Sequence, residues 1–379
     1  MSYSKISRIN DSSNIPALVI TINDIELKAD TILDAEIVWK DDFNITGYVI
    51  FNEMYNITTQ ANIKAGSSIL WYQADMYDEF YSREFIITNV KEVKDKNNKT
   101  IELEFQDKVS WTLANTFESK NYSGKRVSDI IKDVNIPNIV YGFPINIDIE
   151  NTDIKTSLIV PGNVSLLSFI QEELNKEGFI LYQDKKNIKL VNTQNLMPSE
   201  LPTNKFIYKE ISDNSLYGFM IMDYHINHNN IEKTNTVKNQ TVLIYDPRTK
   251  QMVQENSSLS DIYSEIKTTN NVTDNSQLTT GSQYTTQEYL GVNNLFKELY
   301  MTYLENTSLS IAVPGNIMYN KRFQITDIIL MGNPNIQEEI DTGDIKLSGK
   351  YICTQIVDKI LPGQKFIQKL IINRIDYDK

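Results

Sequence analysis

Alternation constrains this chain more than any other feature. Ile101-Glu102-Leu103-Glu104-Phe105 places apolar and acidic side chains strictly in turn. Successive side chains on a strand point to opposite faces, so this segment fits a strand with one dry face and one wet face, as in an antiparallel sheet. The same reading covers Ala17-Leu18-Val19-Ile20-Thr21-Ile22 and its turn at Asn23-Asp24. It also covers Phe85-Ile86-Ile87-Thr88-Asn89-Val90, joined to the alternating strand by the polar tip Lys94-Asp95-Lys96-Asn97-Asn98-Lys99. Short strands with polar turns predict a small antiparallel β-barrel or sandwich over residues 1–112, the first β-barrel of the fold expected.

The period then lengthens. Val127, Ile130, Ile131 and Val134 fall at helical spacing behind Ser123, which is expected to cap that helix. Leu166, Leu167, Ile170 and Leu174 do the same behind Ser165, with Gly178 placed to end the helix in the left-handed region. Two strands follow, joined by Gln183-Asp184-Lys185-Lys186. Residues 113–204 are therefore expected to form an α+β insert, with a second barrel split over 205–230 and 306–379. Residues 231–305 are an Asn- and Thr-rich insertion, expected to be a long loop up to about residue 285. Thr285 and Glu288 then fit a capping box. Behind them Tyr289, Val292, Phe296, Leu299 and Tyr303 recur every three or four residues as a long amphipathic helix. The fold expected is mainly β with an α+β insert, namely two similar small antiparallel β-barrels plus the inserted domain.

The two strand blocks resemble each other. Phe85-Ile86-Ile87-Thr88-Asn89-Val90 can be laid on Tyr351-Ile352-Cys353-Thr354-Gln355-Ile356. Each starts aromatic, carries Thr three residues later and leads through a polar turn into an alternating strand, through Ile101, Leu103 and Phe105 in one and Leu370 and Ile372 in the other. A chain with two such units can form a trimer that presents six similar faces.

Composition excludes several functions. The net charge is −12, and phosphate binding needs cations, so nucleic acid is not an expected ligand. Cys353 is the lone cysteine, which leaves no disulfide framework or thiolate metal cluster. No run approaches a membrane span, and Met1-Ser2-Tyr3-Ser4-Lys5 has no apolar signal region, so folding in a cytoplasm is expected. His225 and His228 would point to opposite faces of a strand, and no acidic or thiol set completes a metal site. Glu172-Glu173 reads as a solvated helix face, not a glycosidase pair. No phosphate loop, nucleophile elbow or triad is present. No catalytic, cofactor or metal residues are expected. Trp39, Trp71 and Trp111 are expected in the core or an interface.

The order barrel, α+β insert, barrel resembles the hub proteins of contractile tails: the T-even baseplate hub, late-control and XkdQ-like tail proteins, and the N-terminal hub part of VgrG. Three segments carry the resemblance. They are Ser123-Gly124-Lys125-Arg126-Val127-Ser128-Asp129-Ile130-Ile131, residues 164–179 around the helix that ends at Gly178, and Leu309-Ser310-Ile311-Ala312-Val313-Pro314-Gly315-Asn316 followed by residues 348–356. Tyr319-Asn320-Lys321-Arg322 departs from the family's usual Gly-Asp turn, and no lysozyme, peptidoglycan-binding or β-helix segment occurs in these residues. The resemblance implies a homotrimer that joins a six-fold tail tube to a separate three-fold spike within a virion baseplate, beside the wedge proteins, with DNA passing through unbound. It implies assembly in the host cytoplasm and no membrane insertion. Interface candidates are the helix residues Tyr289, Val292, Phe296, Leu299 and Tyr303, together with Phe85 and Tyr351. Two other readings fit the residues: a six-fold distal-tail or tube-initiator protein, and a carbohydrate- or cell-surface-binding module.

Overall fold

The computed structural model describes residues 18–40, 43–74, 80–95, 98–133, 139–140, 143–155, 157–196, 204–208, 221–229, 239–246, 251–258, 283–284, 307–315, 322–323, 325–330, 347–361 and 365–375. The first segment holds β1 (Leu18–Ile22), β2 (Ile25–Glu26), β3 (Ile32–Trp39), β4 (Thr46–Asn52), α1 (Ile57–Gln60), β5 (Ser68–Ala74), β6 (Phe80–Asp95) and β7 (Asn98–Asp107). Its alternating strands behave as their sequence dictates. On β7, Ile101, Leu103 and Phe105 are buried while Glu102 and Glu104 face outward. Ala35, Ile37 and Trp39 do the same on β3.

The insert follows: α2 (Lys108–Ala114), β8 (Lys120–Asn121), α3 (Val127–Asp133), β9 (Ile139–Val140), β10 (Phe143–Pro144), β11 (Asn146–Ile149), β12 (Ile159–Val160), α4 (Leu166–Glu177), β13 (Phe179–Gln183) and β14 (Asn187–Asn192). The Ser165 hydroxyl accepts from the Ser168 N–H, and Gly178 ends α4 at φ 76°. The expected cap at Ser123 is not made: its hydroxyl accepts from the Leu158 N–H, and Asp129 reaches back to the Arg126 N–H instead. Strands β11, β14 and β13 form a mixed three-stranded sheet under α4.

The chain then runs through β15 (Asn204–Tyr208), β16 (Asp223–Asn229), β17 (Asn239–Asp246), β18 (Gln251–Ser258), β19 (Gln283–Tyr284), β20 (Thr307–Pro314), β21 (Ile325–Leu330), β22 (Gly349–Leu361) and β23 (Lys365–Arg374). Part of the expected long loop is a hairpin, since β17 and β18 pair in register over their full length. Thr285, Glu288 and the helix expected over Tyr289–303 lie outside the described residues.

The two β segments are joined. Thirteen strands form one sheet, because β22 of the last segment pairs with β3 of the first, Ile356 opposite Trp39 through Ile360 opposite Ala35. Buried apolar residues of both segments make one contiguous core, and the insert has a second.

Within that sheet a pattern repeats. Strands β1, β3, β4, β5, β6 and β7 lie in the spatial order β1-β5-β6-β7-β4-β3, and β15, β16, β20, β21, β22 and β23 lie as β15-β21-β22-β23-β20-β16. The one difference of direction is β15, parallel to β21, where β1 is antiparallel to β5. Register shifts fall at the same place: between Ile87 and Asn89 against β7, and between Cys353 and Gln355 against β23. The skipped residue is Thr88 in one and Thr354 in the other. Each hydroxyl donates to the carbonyl across the bulge, Glu104 O at 3.2 Å and Ile371 O at 3.4 Å. Just upstream, Gly66 (φ 89°) donates its N–H to Ile87 O, and Phe323 (φ 55°) donates to Cys353 O. A left-handed backbone is thus kept in the second unit although a non-glycine residue occupies it, at a cost of roughly 1–2 kcal/mol.

Register also aligns Gly47, opposite Phe105, with Leu309, opposite Ile372. A Cβ on Gly47 would sit 2.6 Å from the Phe105 ring and closer still to the Glu36 carbonyl. Gly47→Ala is therefore expected to destabilise by about 1–3 kcal/mol or more in urea unfolding, because neither the ring nor the backbone has room to move.

Candidate functional site

The most concentrated chemistry among the described residues is interior. The tip joining β13 to β14 is polar, yet Gln183, Asp184 and Lys185 are 0%, 2% and 1% exposed. The insert thereby pushes a hairpin tip into the junction where β22 meets β3.

Arg83, on β6, holds the tip. Its guanidinium donates to Gln183 Oε1 (3.1 Å), Asp184 O (2.7 Å) and Lys185 O (3.3 Å), and lies 3.8 Å from Asp107 Oδ1. Asp107 also caps α2, accepting from the Val109 and Ser110 N–H groups, and it takes a further bond from Gln183 Nε2. Lys185 Nζ reaches Asp358 Oδ1 at 2.8 Å. Asp358 accepts three more bonds, from Gln368 Nε2 (2.7 Å), Trp39 Nε1 (3.2 Å) and the Tyr81 hydroxyl (3.0 Å). Asp184 Oδ1 accepts from the Arg322 N–H at 2.8 Å and lies 3.7 Å from Nε of the same residue. Arg322 in turn covers the Tyr182 ring. Three buried cations, Arg83, Lys185 and Arg322, thus meet three buried carboxylates, Asp107, Asp184 and Asp358.

Burial governs the titration here. It holds the Arg83 guanidinium below its ordinary value, with Asp107 and Asp184 opposing. It pushes the Tyr81 phenol well up, and the Asp358 charge adds to that. The Asp184 carboxyl is raised, first by burial, against the pull of Arg322. These charges are matched to one another and away from solvent, which suits locking rather than turnover. A surface cleft of about 430 Å³ over β3, β4 and β7 is lined by Glu36, Tyr48, Glu102 and Glu104, without a His or Cys beside them. Among the described residues no group of three or more His, Cys, Asp or Glu could hold a metal ion.

The architecture has known counterparts. A tail protein from Neisseria meningitidis MC58 superposes with TM-score 0.64 over 95% of this chain and 96% of its own, at 12% identity. The 43 kDa tail protein of prophage MuSo2 from Shewanella oneidensis gives 0.60 over 95% and 98%, also at 12% identity. This chain has the tail-protein fold. An E. coli component of the type VI secretion system, described as structurally similar to the T4 bacteriophage tail proteins gp27 and gp5, shares it at TM-score 0.52 and 8% identity over 94% of this chain and 77% of its own. No protein-family model matches the chain, and no curated protein matches it in sequence.

Within the tail-protein fold, the residues singled out by sequence lie as follows. Phe85 and Tyr351 are both fully buried, so neither ring has surface to give a partner. Phe85 packs against Phe105 with ring centroids 4.9 Å apart and planes tilted by 58°, and the Tyr351 hydroxyl donates to Leu347 O at 2.7 Å. Tyr289, Val292, Phe296, Leu299 and Tyr303 lie outside the described residues. Trp39 and Trp71 are core, Trp111 is half-buried, and Cys353 is buried. Glu172 and Glu173 both pair with Lys176 on the α4 surface. His225 and His228 stand on β16, opposite Ser310 and Ser308.

Lys185→Ala leaves Asp358 charged and buried without its cation, and is expected to cost about 3–5 kcal/mol in urea unfolding. Asp184 sets a pH dependence of known sign. Its folded pKa is raised, so its stabilising effect is complete below the ordinary carboxylate pKa and is lost as pH rises through the raised value. Asp184→Asn keeps the acceptor for the Arg322 N–H, and its urea midpoint is expected to fall less than that of the parent over that rise.

Proposed function

We infer that this chain is a structural hub of a phage-tail baseplate or a related injection machine. In this reading three copies form a ring with a central channel. One face meets the six-fold tail tube and the other carries a separate three-fold spike, with wedge proteins around it. The chain is an adaptor and not an enzyme, and its place is the virion baseplate, assembled in the host cytoplasm.

The observation that carries this reading is the repeated unit inside one chain, on a fold shared with tail proteins. Two like units per copy let three copies offer six like positions, which is what a three-fold object needs to sit on a six-fold one. The net charge of −12 suits a channel that lets DNA slide, since like charge keeps it from sticking. The burial of Trp39 and Trp71 removes two of the three tryptophans a sugar platform would draw on. Native mass by light scattering tests the reading. Three copies of 43.7 kDa give about 131 kDa. A hexamer would instead favour a tube initiator, and a chain that stays monomeric with its spike protein present would overturn the hub.

A further inference from the structure

The internal repeat names a surface that the chain leaves open. Registers against β23 and β7 equate β22 with β6, Ile356 with Val90 and Lys359 with Val93. Registers through β20 and β4 equate β16 with β3, His225 with Glu36 and Ile226 with Ile37. Inside the chain β22 pairs with β3. The equivalent pair would be β6 with β16, and these two do not meet within one chain: among the described residues β6 beyond Ile87 pairs only with β7, and β16 only with β20.

Burial records the missing partner on both edges. Val357, Asp358 and Ile360 are buried beneath β3, whereas their equivalents Lys91, Glu92 and Lys94 are exposed. Ile37 is 0% exposed and its equivalent Ile226 is 40% exposed. Val93 and Met222, on or beside these edges, are 47% exposed each. An open strand edge is a row of unpaired backbone donors and acceptors, a template for another strand.

We propose that residues 90–93 of β6 in one copy pair antiparallel with residues 225–229 of β16 in a second copy, Val93 opposite His225 and Glu92 opposite Ile226, as Lys359 stands opposite Glu36 and Asp358 opposite Ile37 within the chain. The contact is head-to-tail, so it repeats around a ring until the ring closes. The number of copies, three, rests on the hub reading above; the edge pairing itself rests on the repeat.

The test uses the full chain, whose one cysteine is buried. Directly opposed antiparallel residues have Cα atoms about 4.5–5.5 Å apart, within disulfide reach. Under mild oxidation V93C mixed with H225C is expected to give covalent dimer, and neither variant alone should. The double variant should give a covalent ladder ending at trimer, while V93C with M222C, out of register, should cross-link at least tenfold less. Native mass is read on the same samples. A trimer without the cross-link overturns the edge pairing and leaves the hub standing. A cross-link in a particle of another mass keeps the pairing and overturns the trimeric hub. Equal cross-linking by the out-of-register pair, or no cross-link and no trimer, overturns the pairing.

Discussion

Lys185 carries an ammonium group to a place water does not reach, and Asp358 makes that tolerable. Taking either charge out of water costs several kcal/mol, and their attraction offsets it only when the remaining lone pairs are also satisfied. They are: Gln368, Trp39 and Tyr81 complete the shell of Asp358. These groups come from β3, β6, β22, β23 and the insert. A contact so dependent on its surroundings forms only when all five are in place. It adds little net stability compared with an apolar plug of the same shape, and much discrimination against a misplaced insert.

The repeat shows how one backbone plan tolerates different contents. Both units keep the threonine bulge, the left-handed residue before the strand that pairs with the bulged one (β5 and β21) and the strand order. Bulges fix register, because a slip of one residue would turn every core side chain outward. What differs is the filling. Glycine against phenylalanine in one unit becomes leucine against isoleucine in the other. Backbone irregularities persist because they aim the strands, while side-chain volume has only to sum to the available space.

Much of this was legible in the residues. Alternation located β7, and Ser165 and Gly178 bracketed α4, because both signals are local. The likeness of residues 85–90 to 351–356 was visible because the bulge threonine and its aromatic neighbour are fixed by backbone geometry. The locking site was not visible. Gln183, Asp184 and Lys185 look like any polar hairpin tip, and their partners stand 76 to 173 residues away. A polar tip carries no local mark of burial, so only the tertiary pairing gives it meaning. Ser123 misled for a related reason: a hydroxyl that fits a cap was already committed to the Leu158 N–H. Phe85 and Tyr351 misled as interface residues because an aromatic at a strand start fits a contact surface and a core equally well. The β17–β18 hairpin escaped because only one of its strands carries a strand signal, the short run Thr241-Val242-Leu243-Ile244-Tyr245, while β18 is mostly Gln, Asn, Glu and Ser and has little of the composition that marks a strand.

The bond between Trp39 and Asp358 spans 319 positions. During synthesis β3 is made long before the strand that covers its outer edge, whose Asp358 follows Trp39 by 319 positions. Closing a loop of that length costs roughly 5 kcal/mol on polymer grounds, against far less for a hairpin such as β6–β7. Until β22 is made the first unit therefore stands with β3 uncovered. Chains made side by side on one message would expose the same edge at the same time, next to β22 strands emerging from their neighbours. Partner exchange between nascent copies is the hazard built into this topology, and slow delivery of β22 would worsen it.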